Sequence, residues 1–244
     1  MFYTDQEYNK AISPYINGKS QVCSYCNRIN ELILFEGKYT YITLVIGTFI
    51  EGYLQVCAKQ HRTAATGLSK LETQELIKMK KIVRCAYQKV YNTNGIAFEH
   101  GKAGSCLWKE NRHKNKTNLC HHCHIHFVPV EVDIRKLITK YIPQEDKISD
   151  IWELKRYREN ELEAEPYLYF EDIYEQGYVY PTEDAPIPRQ FLRTCVATKI
   201  GCAEKKDWVK FPGINHFNSA KKKLLPVIQM LGNKILYGKN DNQE

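Results

Sequence analysis

Three histidines alternate with other residues in the segment Cys120-His-His-Cys-His-Ile-His-Phe-Val128. On a strand, His122, His124 and His126 share one face about 7 Å apart, because successive side chains point to opposite faces. Packing alone does not favour three adjacent imidazoles, so the pattern indicates binding to a metal, to a phosphate or to one another. A chance cluster of exposed histidines is the simpler alternative, and the apolar residues around them weigh against it.

Two cysteine pairs have the spacing of a metal-binding knuckle, Cys23-Ser-Tyr-Cys26 and Cys120-His-His-Cys123. Such a pair presents two thiolates to one ion, and zinc completes its tetrahedron with two more Cys or His ligands. The nine cysteines are an odd, scattered set, which favours metal ligands in a reducing compartment over disulfides. A zinc ribbon made of both pairs stays open as an alternative. The long separation of the pairs weighs against it, and a strand would point Cys123 away from the histidines.

The residues around these motifs predict a sheet that positions them. Runs of β-branched and aromatic residues predict strands at Leu32–Phe35, Tyr39–Val45, Gly52–Cys57, Gly95–Glu99 and His121–Val130. After the third strand, Ser69 is expected to cap a helix over Leu71–Tyr91, in which apolar residues recur at helical spacing. These elements predict an α+β fold in which an antiparallel sheet carries one long helix.

The histidine segment resembles the signature of the histidine-triad superfamily, in which three histidines alternate with apolar residues. The segment Gly52-Tyr-Leu-Gln-Val-Cys-Ala-Lys-Gln-His61, followed by Leu68-Ser69, is similar to the strand–lysine–x–histidine segment before that family's long helix. Phe98-Glu-His-Gly101 is similar to a segment common in bacterial members. These similarities cover about residues 23–130 in the family's order. A weaker similarity to the tail of longer bacterial members continues at Pro188–Arg193 and Asp207-Trp208.

The resemblance implies a metal site. In the zinc-bearing branch of the superfamily, which includes the galactose-1-phosphate uridylyltransferases, a cysteine pair is joined by the histidine after the strand and by the first triad histidine. Those positions match His61 and His122. The resemblance therefore implies one closed, structural zinc site formed by Cys23, Cys26, His61 and His122.

The resemblance also assigns catalytic roles. His124 corresponds to the nucleophile, which attacks phosphorus to give a nucleotidyl-histidine that water then cleaves. His126 would stabilise charge on the phosphoryl oxygens or protonate the leaving group. Transferase and phosphorylase branches carry glutamine at the third position, so His126 favours a nucleotidyl hydrolase, with a nucleotidyltransferase of the same superfamily as the alternative.

The expected substrate contacts depart in part from the family pattern. Compact hydrolases of the family have a phosphate-contacting serine where this chain has Leu119, and Ser105, Thr117 or Asn118 are alternatives for that role. The candidate substrate-binding residues are Glu99, His100, Ser105 and Asn118. The loop from Lys102 to Leu119 is longer than in compact members, and we expect it to border the site and influence substrate choice.

The composition changes after Val130. We predict an N-terminal lead at 1–19, a histidine-triad core domain with its zinc site at 20–142, and a C-terminal α/β extension at 143–244. Within the extension, a hairpin is expected at Tyr167–Phe170 and Gly177–Tyr180, and helices at Gln190–Lys199 and Ser219–Leu231.

Bulk composition limits the partners. With 43% hydrophobic and 26% charged residues the chain is typical of soluble globular proteins, and its net charge of +7 suits an anionic ligand such as a nucleotide or a nucleotidyl conjugate. No targeting segment or membrane-length apolar run is visible, which predicts a cytoplasmic protein without a membrane partner. A zinc-stabilised nucleic-acid-binding or end-processing protein is the alternative from another class. Its phosphate contacts would be the lysines of Lys109–Lys116, Lys205–Lys206 and Lys221–Lys223. Compact members of the superfamily are often dimers, so a homodimer is a further expectation.

Overall fold

A single eight-stranded sheet is the main element of the fold. The computed structural model describes residues 6–7, 10, 23–102, 121–156, 166–182, 185–188, 190–207 and 210–238. Its strands are β1 Ile33–Glu36, β2 Thr40–Leu44, β3 Leu54–Ala58, β4 Ile96–Gly101, β5 His124–Val128, β6 Asp146–Ile148, β7 Tyr167–Glu171 and β8 Gly177–Pro181. The strand order is β1-β2-β3-β5-β4-β7-β8-β6, and each neighbouring pair is antiparallel.

Strand β5 lies in the interior of the sheet between β3 and β4, and it carries two of the three alternating histidines. The register pairs His126 with Gln55 of β3 and with Phe98 of β4. Directly paired residues of neighbouring strands share a face of the sheet, so the side chains of Gln55 and Phe98 flank that of His126.

Besides the helical residues Gln6, Glu7 and Lys10, four α-helices accompany the sheet in the described residues: α1 Lys70–Tyr91, α2 Arg135–Ile138, α3 Phe191–Lys199 and α4 Ile214–Tyr237. Helix α1 begins with a capping box. The Ser69 hydroxyl accepts a hydrogen bond from the Glu72 amide at 3.3 Å, and the Glu72 carboxylate accepts one from the Ser69 amide at 2.6 Å. These two bonds satisfy amide groups that a helix start leaves without partners, which explains why the helix begins here.

The two faces of the sheet are covered differently. Helices α1 and α4 pack on one side over a large apolar cluster that includes Val56 and Ile125, and we call this side the helix face. The opposite side holds a second cluster around Tyr53 and Phe98, and helix α3 packs there against β4. We call this side the triad face, because His126, one of the three alternating histidines, lies on it in contact with Tyr53 and Phe98.

A buried ionic cluster connects α1 to strand β7 on the helix face. The Glu171 carboxylate accepts hydrogen bonds from Lys80, Arg84 and the Tyr169 hydroxyl, and all four residues are buried. Because β7 pairs with β4, strands from both sides of residue 142 belong to one sheet. The division of the chain into domains at that point stays a prediction.

The α+β class, the antiparallel sheet, the long helix and the β7–β8 hairpin are confirmed. Strand β5 begins at His124, three residues later than predicted. Just before it, the Cys123 amide donates a hydrogen bond to the Arg62 carbonyl, and the Cys123 carbonyl accepts one from the Ala58 amide. Strand β6 was not predicted, because its Asp-Lys-Ile sequence lacks a strand pattern.

Helix α4 is longer than the predicted helix at Ser219–Leu231 and continues through Pro226. Proline removes one helical hydrogen bond, but buried apolar residues lie on both sides of it, including Leu224 and Ile228. Their burial against the sheet and α1 keeps the chain helical on both sides of the proline. None of the helices in the described ranges is both long enough and apolar enough to cross a bilayer.

Candidate active site and metal centre

The four predicted metal ligands lie together at one end of β3 and β5. The ligand atoms of Cys23, Cys26, His61 and His122 are all within 4.8 Å of one another. The Sγ atom of Cys23 is 3.5 Å from Nδ1 of His122, and Sγ of Cys26 is 3.4 Å from Nδ1 of His61 and 3.7 Å from Nδ1 of His122. The two Nδ1 atoms are 3.4 Å apart.

The four distances that involve a histidine Nδ1 atom, 3.4–3.7 Å, fit a tetrahedral ion. Zinc–sulfur bonds of about 2.3 Å and zinc–nitrogen bonds of about 2.0–2.1 Å give tetrahedron edges of roughly 3.3–3.8 Å. The geometry of His122 also fits, because its Nε2 lies 2.8 Å from the Ala58 carbonyl. Nε2 must carry the proton to donate this bond, which leaves the Nδ1 lone pair facing the cysteines. The pKa of His122 is lowered to about 4, mainly by burial and also by charges on His124 and His61, and the Ala58 bond partly opposes this, so the ring is neutral near pH 7.

His124 has the opposite tautomer. Its Nδ1 lies 2.6 Å from the carbonyl oxygen of His122, so Nδ1 carries the proton and donates it. The lone pair is then on Nε2, which has no hydrogen-bond partner among the described residues. Burial lowers the pKa of His124 to about 4, and charges on His100 and His121 contribute. A neutral imidazole whose Nε2 lone pair is not engaged in a hydrogen bond by the described residues is what nucleophilic attack requires.

His126 lies beside His124, with ring centroids 4.8 Å apart. Its ring stacks on Phe98 at 4.7 Å with an interplanar angle of 13°, and its Nδ1 is 3.0 Å from the Tyr53 hydroxyl. The Gln55 amide nitrogen lies 3.4 Å from both ring nitrogens. Burial lowers the pKa of His126 well below its ordinary value, so this ring is also neutral near pH 7.

Tyr25 connects the cysteine pair to the triad. It lies between Cys23 and Cys26, and its ring stacks on His124 at 4.5 Å and on His122 at 5.2 Å. Its hydroxyl accepts a hydrogen bond from Gln55 at 3.2 Å. A metal bound by the two cysteines would therefore also hold the aromatic ring that covers one side of His124.

The two candidate substrate contacts on β4 lie on opposite faces. His100 is half-buried on the triad face, where its Nε2 accepts a hydrogen bond from the Leu192 amide at 3.1 Å. Glu99 points to the helix face and is 1% exposed. Its carboxylate accepts hydrogen bonds from the Ala65 amide at 2.9 Å and from the Tyr167 hydroxyl at 2.7 Å. The structure therefore brings His100 towards the triad but not Glu99, which lies behind it.

Other predicted residues are either on the helix face or outside the described ranges. Cys123 is fully buried beside Glu99, on the side of β5 away from the metal ligands, as strand alternation predicts. The ribbon alternative needs Cys123 as a ligand, and this orientation does not favour it. The remaining residues of these predictions, Ser105, Thr117, Asn118, Leu119, Cys120 and the Lys109–Lys116 stretch, lie outside the described residues.

Four residues at the site were not predicted from the sequence: Tyr25, Tyr53, Gln55 and Arg193. Gln55 had a visible signal, since it is a polar residue inside an otherwise apolar strand. Tyr53 precedes it by two residues and so shares its face. Arg193 lies in the Pro188–Arg193 segment, for which the family resemblance implied no role.

No family model and no curated protein matches this chain. Among the solved structures that match it, two are similar to about half of this chain. A hypothetical histidine triad nucleotide-binding protein from Sulfolobus tokodaii is 19% identical, with a TM-score of 0.33, over 46% of this chain and 71% of that one. A Hit-like protein involved in cell-cycle regulation from Bartonella henselae is 14% identical, with a TM-score of 0.30, over 53% of this chain and 79% of that one. Similarities this weak carry no conclusion about function.

Proposed function

We propose that this protein is a histidine-triad nucleotidyl hydrolase that cleaves phosphoanhydride or phosphoramidate bonds through a covalent intermediate on His124. One observation carries the proposal: the bond from Nδ1 of His124 to the His122 carbonyl leaves a neutral ring with its lone pair on Nε2. The neighbouring ring of His126 supplies a second polar group at the same place. The family resemblance of the sequence supports the nucleotide as substrate.

The reaction divides into two displacements at phosphorus. Nε2 of His124 attacks the phosphoryl group, a nitrogen–phosphorus bond forms, and the bond from phosphorus to the leaving group breaks. Water then attacks the same phosphorus, its oxygen is retained in the released nucleoside monophosphate, and the bond to His124 breaks. His126 lies next to His124 and donates to a phosphoryl oxygen or to the leaving group as charge develops there.

We propose a structural role for zinc at the cysteine–histidine cluster. Four protein ligands leave no open position, so bound zinc would stabilise the fold rather than take part in the reaction. The cluster joins the Cys23–Cys26 segment to the ends of two strands, and it fixes His122, whose carbonyl orients His124. Loss of the metal is therefore expected to weaken both stability and turnover.

Mass spectrometry of the intact protein after brief incubation with a panel of nucleotides tests the covalent step. We expect an adduct with the mass of a nucleoside monophosphate, located on His124 by peptide mapping. The matched control is the corresponding nucleosides, which lack the phosphorus that His124 would attack. Absence of any adduct on wild-type protein that still turns over a nucleotide would contradict the proposal.

Substitutions of the three histidines should have different effects on metal content, adduct formation and turnover. His124→Ala should keep its zinc, bind nucleotide, form no adduct and lose several orders of magnitude in turnover. His126→Ala should stay folded and lose about 10²–10³ in rate, as expected when one charge-stabilising donor is removed. His122→Ala should lose metal and stability. Near-normal turnover by His124→Ala would refute the mechanism.

A nucleotidyltransferase would form the same adduct but pass it to an acceptor other than water. Turnover in ¹⁸O-labelled water separates the two activities, because only hydrolysis places one labelled oxygen in the released nucleoside monophosphate. The nucleic-acid-binding alternative is not favoured by two of the lysines assigned to it. Lys221 donates to the Glu31 carbonyl and Lys223 pairs with Glu51, so both already have partners within the chain.

A further inference from the structure

Arg193 of helix α3 is a buried cation held by the protein backbone. Arg193 is 5% exposed, whereas most arginines lie at the protein surface. Its Nε donates a hydrogen bond to the Lys206 carbonyl at 3.0 Å, and its Nη2 donates one to the Gly47 carbonyl. These two acceptors come from distant parts of the chain, so the guanidinium has one defined position.

This position places Arg193 against Tyr53. The guanidinium carbon lies 4.7 Å from the ring centre of Phe49 and 5.3 Å from that of Tyr53. Burial raises the pKa of Tyr53 to about 12, and the nearby positive charge of Arg193 opposes this rise. A guanidinium has donors only, so Arg193 offers the phenolic proton no acceptor. The phenolic proton therefore needs another partner.

That partner is His126, whose Nδ1 is 3.0 Å from the Tyr53 hydroxyl. If Tyr53 donates its proton there, Nδ1 is an acceptor and the single proton of the neutral ring must be on Nε2. Stacking on Phe98 fixes the plane of the ring, so the direction of this N–H is also fixed. His124 has its proton on Nδ1 instead, because its acceptor is the His122 carbonyl.

We propose that Arg193 and Tyr53 are positioning residues that hold His126 in the Nε2–H tautomer, in which it donates to the phosphoryl group. The role as donor rests on the proposed function, whereas the tautomer itself does not. With the proton on Nδ1, Nε2 would present a lone pair to an anionic phosphoryl group and would repel it. Because Arg193 belongs to the segment after residue 142, that segment completes the active site rather than being appended to it.

The tautomer can be measured without any substrate. In ¹⁵N-labelled protein near neutral pH, long-range correlation of the imidazole nitrogens distinguishes a protonated from an unprotonated Nδ1, and the His126 signals are identified by their loss in His126→Ala. We expect an unprotonated Nδ1 in wild-type protein. Tyr53→Phe removes the donor, so the Nδ1 signal should shift towards that of a tautomer mixture. Tyr180→Phe is the matched control, because it removes a buried phenol whose bond goes to Glu145 and should leave the His126 signals unchanged.

Kinetics then test the role in catalysis. Tyr53→Phe and Arg193→Met should lower kcat by about 10- to 100-fold, as is typical when an outer-shell partner of a functional histidine is lost, with KM nearly unchanged. Tyr180→Phe should keep wild-type kcat. If Arg193→Met fails to fold, the kinetics of Tyr53→Phe alone test this role in catalysis.

Two results would overturn the inference. One is a protonated Nδ1 on His126 in wild-type protein, and the other is no change of the His126 nitrogen shifts in Tyr53→Phe. A large rise in KM without a fall in kcat would overturn the catalytic part, because it would indicate a binding role. Failure of the proposed function is recognised separately. His124→Ala would then keep its turnover, while the tautomer of His126 is still read directly from the spectra.

Discussion

The buried carboxyl of Glu99 should make stability fall as pH rises from weakly acidic to neutral. Burial raises its pKa from 4.5 to about 7, and hydrogen bonds from Tyr167, the Ala65 amide and Cys123 only partly oppose this. The folded chain therefore keeps a proton that the unfolded chain releases near its ordinary pKa. The contribution of neutral Glu99 is fully present below pH 4.5 and is lost as pH approaches 7. Two and a half pKa units correspond to an upper limit of about 3 kcal/mol.

Denaturant unfolding of wild-type protein and Glu99→Gln at about pH 5 and about pH 8 measures this contribution. The variant cannot ionise at this position. Its unfolding free energy relative to that of wild-type protein should therefore rise by about 2.5 kcal/mol from the lower to the higher pH. Other titrating groups, including the metal ligands, are common to both proteins and cancel in the comparison. A difference that does not change with pH would show that Glu99 has an ordinary pKa. A change of the opposite sign would show that its charged form is stabilised instead.

Three other perturbations test single features of the structure. Purified protein should contain one zinc ion per chain by elemental analysis, and Cys26→Ser should lower this content sharply while Cys202→Ser, outside the cluster, should not. Ser69→Ala should cost about 1 kcal/mol in unfolding free energy, because it removes the capping oxygen of helix α1. Glu171→Gln should cost about 3–5 kcal/mol by the same measurement, since it leaves two buried cations without their shared carboxylate. A loss below about 1 kcal/mol for Glu171→Gln would indicate that the cluster is not desolvated as the structure shows.

Local elements were the most predictable from the sequence. Helix α1 begins one residue from its predicted start, because the Ser69–Glu72 capping box depends only on residues three apart. The β7–β8 hairpin is similar, since both strands and their turn are adjacent in sequence. Strand β6 could not be predicted, because its three residues become a strand only through pairing with β8.

The site was predictable where a short motif carried it. The Cys23–Cys26 spacing and the alternating histidines are visible in the sequence, but His61 entered only through the family resemblance, because nothing local marks it as a ligand. Glu99 shows the limit of strand alternation. Alternation separates Glu99 from His100, yet it cannot say which of them faces the triad until the register places Phe98 opposite His126. The position of Arg193 at the site could not be predicted from the sequence, since its contacts join segments far apart in the chain.

His122, His124 and His126 are the same residue type, yet their hydrogen-bond partners differ, and we propose a different role for each. The bond to the Ala58 carbonyl leaves the lone pair of His122 facing the cysteine–histidine cluster, and the bond to the His122 carbonyl leaves the lone pair of His124 on Nε2. Both acceptors are backbone atoms, which a side-chain substitution does not remove. His126 depends instead on side chains, the Tyr53 hydroxyl at 3.0 Å and the Gln55 amide at 3.4 Å. Of the three roles, that of His126 is therefore the one that substitution of another residue can change most directly. Comparing Tyr53→Phe with wild-type protein isolates that role while both backbone-held tautomers stay in place.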